Sequence, residues 1–235
     1  MPESVRRAPQ RARLSRERVL DAALGLADSG GLEALTIRSL ATALGAKPMS
    51  VYYHVASKDE ILDALVDTVF SEIVLPVPGR EWRTELGGRA HSARQVLARH
   101  RWAIGLLESR RSPGPANLRH HDAVLATLRD AGFSAALTAH AYALLDSYVY
   151  GFALQEAGLP FEGRDSVGSV AEPIMALMAA GDYPHLMEMA ASYYLQPGYD
   201  FADEFGFGLE LILDGLEQLR AQAAPPVAGG TEPRG

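Results

Sequence analysis

The 235-residue chain contains no cysteine. That removes disulfide staples, thiolate metal sites and cysteine nucleophiles together, and it is compatible with a reducing compartment. No apolar run approaches the ~20 residues that span a bilayer. The N-terminal stretch MPESVRRAPQRARLSRER carries positive charge with no apolar segment behind it, so no signal peptide is expected and the chain reads as cytoplasmic. Aromatic residues are scarce at 8%, while 48% of residues are hydrophobic and 22% charged, an ordinary balance for a soluble globular protein. Catalytic signatures are missing as well: there is no H-E-x-x-H, no G-x-S-x-G and no P-loop, and Gly206-x-Gly208 lacks the third glycine and the preceding strand of a dinucleotide site. His120-His121-Asp122 and His185-x-x-Glu188 supply no metal spacing, because adjacent helical histidines point about 100° apart. Neither an enzyme, a cofactor nor a metal is expected.

The net charge of −7 conceals two regions of opposite sign. Residues 1–58 hold nine Lys/Arg against five Asp/Glu, a balance of +4, which leaves −11 for residues 59–235. A basic N-terminal piece on an acidic body suggests that one end meets a polyanion. A basic tail on an unrelated domain would show the same asymmetry.

The chain reads as all-α. Ser15 is placed to cap a first helix in which Val19, Leu20, Ala23, Leu26 and Ala27 recur at helical spacing until Gly30-Gly31. Thr36 caps a second, short helix with Ile37, Leu40, Ala41 and Leu44 inward, ended by Gly45 in the left-handed conformation. Pro48 suits the first position of a third helix reaching about His54. Ser57-Lys58-Asp59-Glu60 fits a capping box for a fourth over 57–73, with a stripe from Ile61 to Ile73. Further helices are expected near 81–109, 117–131, 134–157, 169–180, 184–195 and 201–222, separated by Pro/Gly clusters. Residues 205–213 alternate briefly and are the one place a strand competes. The expected organisation is a basic disordered arm at 1–14, a small helical domain at 15–75, a larger helical domain at 80–222 and a disordered tail at 223–235.

The segment 36–58 has the dimensions of a helix-turn-helix, whose second helix enters the major groove N-terminus first. Its first turn presents Lys47, Pro48, Met49 and Ser50 outward, and Val51 and Val55 point inward. Tyr52, Tyr53 and His54 then crowd hydrogen-bonding groups onto a helix only two turns long. Arg38 and Lys58, one from each flanking helix, are placed as phosphate clamps. Spacing of this kind also occurs in any αα-hairpin, and paired tyrosines also occur as half-buried packing.

The stretch LTIRSLATALGAKPMSVYYHVASKDEILDAL resembles the DNA-binding domain of the tetracycline-repressor (TetR) family of bacterial transcription regulators, over about residues 15–73. The resemblance implies that Arg38, Lys47, Pro48, Met49, Ser50, Tyr52, Tyr53, His54 and Lys58 lie on or beside DNA, with Tyr52 on a phosphate. More loosely, residues 82–155 are similar to the ligand-binding domain of the tetracycline repressors themselves. That similarity implies dimerisation through a four-helix interface of 134–157 and 201–222, for which Leu137, Leu144, Leu145, Leu209, Ile212, Leu213 and Leu216 are candidates. The apolar surface of the last helix supports this, although both helices also fit monomer core.

Tetracycline repressors hold a magnesium–drug chelate partly through imidazoles, and Val74 and Leu107 stand where those are expected. A mostly apolar effector without an obligatory ion is therefore expected. Trp102, Leu106, Leu125, Tyr148, Phe152, Met175 and Met178 are candidate cavity-lining residues, each of which also fits plain core; Arg110, His121 and His140 are candidate polar anchors. The function implied is a ligand-responsive homodimeric repressor on a palindromic operator, with half-sites about 34–36 Å apart. A DNA-binding regulator or architectural protein with no effector is the alternative.

Overall fold

A computed structural model describes residues 13–107, 109–110, 112–159 and 175–223. The expected arm at 1–14 and tail at 223–235 lie almost wholly outside these residues, as does the first half of the helix expected at 169–180. Among the described residues all regular structure is helical, residues 205–213 included, and no helix is long and apolar enough to cross a membrane. The chain forms two compact units: residues up to Glu72 together with Arg99–Leu118, and Ile73–Ala98 together with Arg119 onward.

In the first unit, α1 (Arg16–Ala34) begins at Ser15, whose hydroxyl accepts the Arg18 N–H at 3.3 Å. Gly31, at φ 69°, interrupts its last turn. In α2 (Ile37–Ala43) the Thr36 hydroxyl accepts the Ser39 N–H at 3.0 Å while the Thr36 N–H reaches the Ser39 hydroxyl at 2.9 Å. The helix closes with Ala46 N–H on the Ala41 carbonyl and Gly45 N–H on the Thr42 carbonyl, a Schellman turn that needs the positive φ of Gly45. α3 (Pro48–Val51) is shorter than the expected span to His54. Residues 52–54 continue only as turns, with the His54 N–H on the Val51 carbonyl at 2.9 Å, because so short a helix tightens its final turn. Val19, Ala23, Leu40, Ala41, Val51, Val55, Ile61 and Leu65 form the shared core.

α4 (Lys58–Glu72) starts at Ser57, whose hydroxyl accepts the Glu60 N–H at 3.1 Å. The Glu60 carboxylate reaches back one residue further than a standard capping box, to the Ala56 N–H at 2.6 Å, and pairs with Arg16 at 3.2 Å. The helix expected over 81–109 is broken. α5 (Trp82–Arg99) ends before a bend at His100, followed by a 3-10 turn at Arg101–Ala103. His100 Nδ1 lies 2.7 Å from Asp28 Oδ1 and Nε2 3.2 Å from Glu72 Oε2, while the Trp102 indole N–H donates to the same Asp28 oxygen at 2.7 Å. Side chains two apart on a continuous helix point about 200° apart and do not reach one oxygen.

Asp59, Asp63 and Asp67 recur every fourth residue of α4 and all meet the segment 110–117. Arg110 donates to Asp59 Oδ1 at 3.2 Å and pairs with Asp63. Asp67 Oδ1 accepts the Ala116 and Asn117 N–H groups at 2.8 and 3.0 Å, the first free donors of α6 (Pro115–Asp130). Gly114 occupies the capping position without a side chain, and a methyl there would lie 2.2 Å from the Asp67 carboxyl carbon. The cap is thus supplied by another helix.

In the second unit, α7 (Ala135–Ala157) is capped by Ser134. Residues 175–180 are helical (α8), and α9 (Pro184–Met189) runs into a π turn at Ala190–Tyr194. A 3-10 turn at Phe201–Asp203 leads into α10 (Glu204–Ala223). Tyr148 donates its hydroxyl to the Phe205 carbonyl at 2.8 Å, an approach open only because Gly208 lacks a Cβ, which would sit 2.3 Å from that oxygen. Phe152 stacks on Phe201 and meets Phe205 edge to face, and Arg94, paired with Glu156, lies over both Phe152 and Phe205.

Removing the borrowed cap with Asp67→Ala is expected to lower unfolding free energy by about 1–2 kcal/mol, read as a lower urea midpoint at unchanged slope. Glu60 gives a pH test. The Ala56 N–H and Arg16 hold its carboxyl below the ordinary value of 4.5. Its stabilisation is present above that value and is lost as pH falls through the lower folded one. Glu60→Gln is expected to flatten the acid limb of stability against pH.

Candidate functional site

The expected DNA-facing residues fall in the first unit on α2, on α3 and the turns after it, and at the start of α4. Lys47, Pro48 and Met49 are exposed at the start of α3, Tyr52 is exposed, and Tyr53 has 86% of its surface open. Ser50 and His54 are half-buried, while Val51 and Val55, four residues apart, anchor the segment in the core. Arg38 on α2 and Lys58 at the start of α4 are exposed on the flanks, and Lys58 Nζ lies 3.4 Å from the Leu32 carbonyl. Among the described residues none of Arg38, Lys47 and Lys58 is in an ion pair, whereas Arg16, Arg83, Arg94, Arg99 and Arg110 all are. Cations left unneutralised beside exposed tyrosines on a rigid hairpin match the footprint of a phosphate-binding face.

The residues proposed to line a cavity are divided between the two units. Trp102, Leu106 and Arg110 belong to the first unit, where Trp102 and Arg110 are held by Asp28 and by Asp59 and Asp63. Tyr148 and Phe152 pack in the ring cluster between α7 and α10, Leu125 is exposed, and Met175 and Met178 are half-buried on α8. His140 is exposed. His121 hydrogen-bonds Tyr142 in the second unit.

That contact belongs to a polar strip absent from the sequence reading. Thr138, Tyr142, Asp146 and Tyr150 follow every fourth residue along α7. Buried Asp146 pairs at 2.7 Å with buried Arg89 of α5 and accepts the Tyr150 hydroxyl at 3.3 Å. Among the described residues Arg89 Nε and the Thr138 hydroxyl are buried without a hydrogen-bond partner. Burial and the neighbouring Asp146 push the Tyr142 phenol far above its usual range. The i, i+4 spacing was the available signal, but an apolar helix with two acidic residues does not name their partners.

Of the dimer candidates, Leu145 on α7 and Leu209, Leu213 and Leu216 on α10 are buried within the single chain. Leu137 and Ile212 are half-buried, and the large apolar residues facing outward are Leu144 on α7 with Phe207, Leu211 and Leu219 on α10. Val74 is exposed and Leu107 buried, and neither carries a metal donor.

A helix-turn-helix with an open cationic face, followed by a separate helical unit, defines a DNA-binding regulator. Residues 19–65 match the family model for bacterial regulatory proteins of the tetR family, and residues 75–220 match the tetracyclin repressor-like C-terminal domain. The chain belongs to the TetR family of bacterial transcriptional regulators, ligand-responsive and non-enzymatic DNA-binding proteins that act as dimers. It is 34% identical over 218 residues to the HTH-type transcriptional repressor DrrR1 of Streptomyces coeruleorubidus, covering 89% of this chain and 79% of that protein. It is 32% identical to the class C tetracycline repressor protein of Escherichia coli, covering 88% and 93%. Among solved structures, apo ActR from Streptomyces coelicolor superposes with a TM-score of 0.73 at 28% identity, over 91% of this chain and 99% of that one. ActR in complex with actinorhodin gives 0.71 at 29% identity, over 89% and 99%.

Tyr52→Ala is expected to weaken DNA binding without changing the oligomeric state or melting temperature, compared by anisotropy, size exclusion and thermal melts. Asp146→Ala, which strands the Arg89 charge, is expected to cost about 3–5 kcal/mol of stability. The double change Arg89→Met with Asp146→Leu is expected to recover most of that loss, measured by denaturant unfolding.

Proposed function

We propose that this protein is a homodimeric repressor that binds a palindromic operator through residues 36–58 and is released by a small molecule taken up in its second unit. The observation that carries the reading is the set of unneutralised cations and open tyrosines around α3, held rigid by the Schellman turn and by Val51 and Val55. Arg38, Lys47, Tyr52 and Lys58 serve as phosphate contacts, while Pro48, Met49, Ser50, Tyr53 and His54 face the base edges. The exposed apolar residues Leu144, Phe207, Leu211 and Leu219 support pairing of α7 and α10 with their copies. That pairing would set the separation of the two reading helices.

The second unit supplies an apolar helical interior with one polar strip, Arg89, Asp146, Tyr142, Tyr150 and His121, suited to orienting a mostly apolar effector by a few hydrogen bonds. The solved complexes of ActR with actinorhodin and with (S)-DNPA support a ligand role for a domain of this kind. The effector then favours a state in which α4 and the paired reading helices are wrongly spaced for DNA. Couplings of ~1–3 kcal/mol suffice to change affinity ~5–150-fold, provided the effector prefers one state.

The test is fluorescence anisotropy against tiled fragments from around the protein's own gene, at two salt concentrations, with excess random DNA. Tight binding to one fragment that survives the competitor is expected. Weak, steeply salt-dependent binding to every fragment would overturn operator recognition.

A further inference from the structure

Between Arg164 and Arg220 the sequence contains no Lys or Arg and ten Asp or Glu. Within that stretch the π turn at Ala190–Tyr194 presents two consecutive tyrosines, and π turns concentrate at functional positions. Tyr193, Tyr194 and Tyr199 form a three-ring cluster with centroids 5.2–5.6 Å apart, each pair near perpendicular. This is not a core packing arrangement, since Tyr193 and Tyr194 keep 46% and 44% of their surface open. Carboxylates stand around it: Glu204 accepts the Tyr193 hydroxyl at 2.8 Å, and Asp200 and Asp203 lie on the turn leading into α10. The Tyr199 phenol is pushed up to about 12 by burial first and then by Glu204.

Open aromatic surface framed by negative charge, with no Lys or Arg in the surrounding sequence, attracts one class of small molecule. An anion is repelled by the carboxylates, and a neutral apolar body gains nothing from them. A cation carried on an aromatic or apolar body gains both ring contact and charge neutralisation. We infer that the Tyr193–Tyr194–Tyr199 cluster with Glu204 is a binding site for an organic cation bearing aromatic or apolar groups. The site does not depend on the repressor reading, because binding there is measurable whether or not the same molecule releases DNA.

The full-length protein is titrated by calorimetry with tetraphenylphosphonium and, separately, with tetraphenylborate, ions of the same shape and opposite charge. Binding of the phosphonium at least ~10-fold tighter than the borate is expected, weakening as salt is raised. Tyr194→Leu, a change at an exposed ring, and Glu204→Gln are each expected to reduce phosphonium affinity several-fold at unchanged melting temperature. Equal affinity for the two ions, no phosphonium binding, or phosphonium binding untouched by either variant would overturn the assignment. Operator binding of the same samples, followed by anisotropy, scores the repressor reading separately.

Discussion

Two stripes on α4 share a period of four and lie two residues apart: Ile61, Leu65 and Val69 on one, Asp59, Asp63 and Asp67 on the other. Two residues of helix are about 200° of rotation, so the stripes occupy opposite faces. The apolar stripe joins the core under the DNA-facing hairpin, and the acidic stripe takes up Arg110 and the free N–H groups of α6. α4 is therefore fixed from both sides. Exposed ion pairs such as Arg110 with Asp59 contribute little singly, but a cap made of two charge-assisted backbone hydrogen bonds contributes more, and it cannot be replaced locally because Gly114 has no side chain. The position of the reading segment inherits this double constraint through Val51 and Val55.

Features governed by neighbours in sequence were legible before any coordinates. Ser15, Thr36, Gly45 and Ser57 begin or end helices where capping chemistry places them, and the extent of each N-terminal helix follows within a few residues. The segment 99–118 was not legible in the same way. Its path is set by Asp28, Asp67 and Glu72, which come from distant parts of the sequence, and no periodicity within the segment announces those partners. The ion pairs and hydrogen bonds of Trp102 and Arg110 were hidden for that reason. α10 differs: it is apolar on two faces, so spacing alone did not decide whether Leu209 and Leu213 or Phe207 and Leu211 point inward. The DNA-facing set came from family resemblance more than from spacing, which a common αα-hairpin would also satisfy.

The second unit is organised by a contrast between its two polar elements. The Arg89–Asp146 pair sits inside an otherwise apolar interior, where an ion pair is weak evidence for stability and loss of one partner is severe. Arg94 with Glu156 is partly open and doubles as a cover for the Phe152 and Phe205 rings, so its aliphatic and planar surfaces do as much as its charge.

The chain has two tryptophans, and they fall one to each unit. Both indole N–H groups donate to a carboxylate, Trp102 to Asp28 and Trp82 to Glu217. Because those carboxylates come from α1 and α10, each indole senses the packing of its own unit. Replacing either one with phenylalanine leaves a chain whose tryptophan emission comes from a single unit, so the melting of the two halves can be followed as separate optical signals without any attached label.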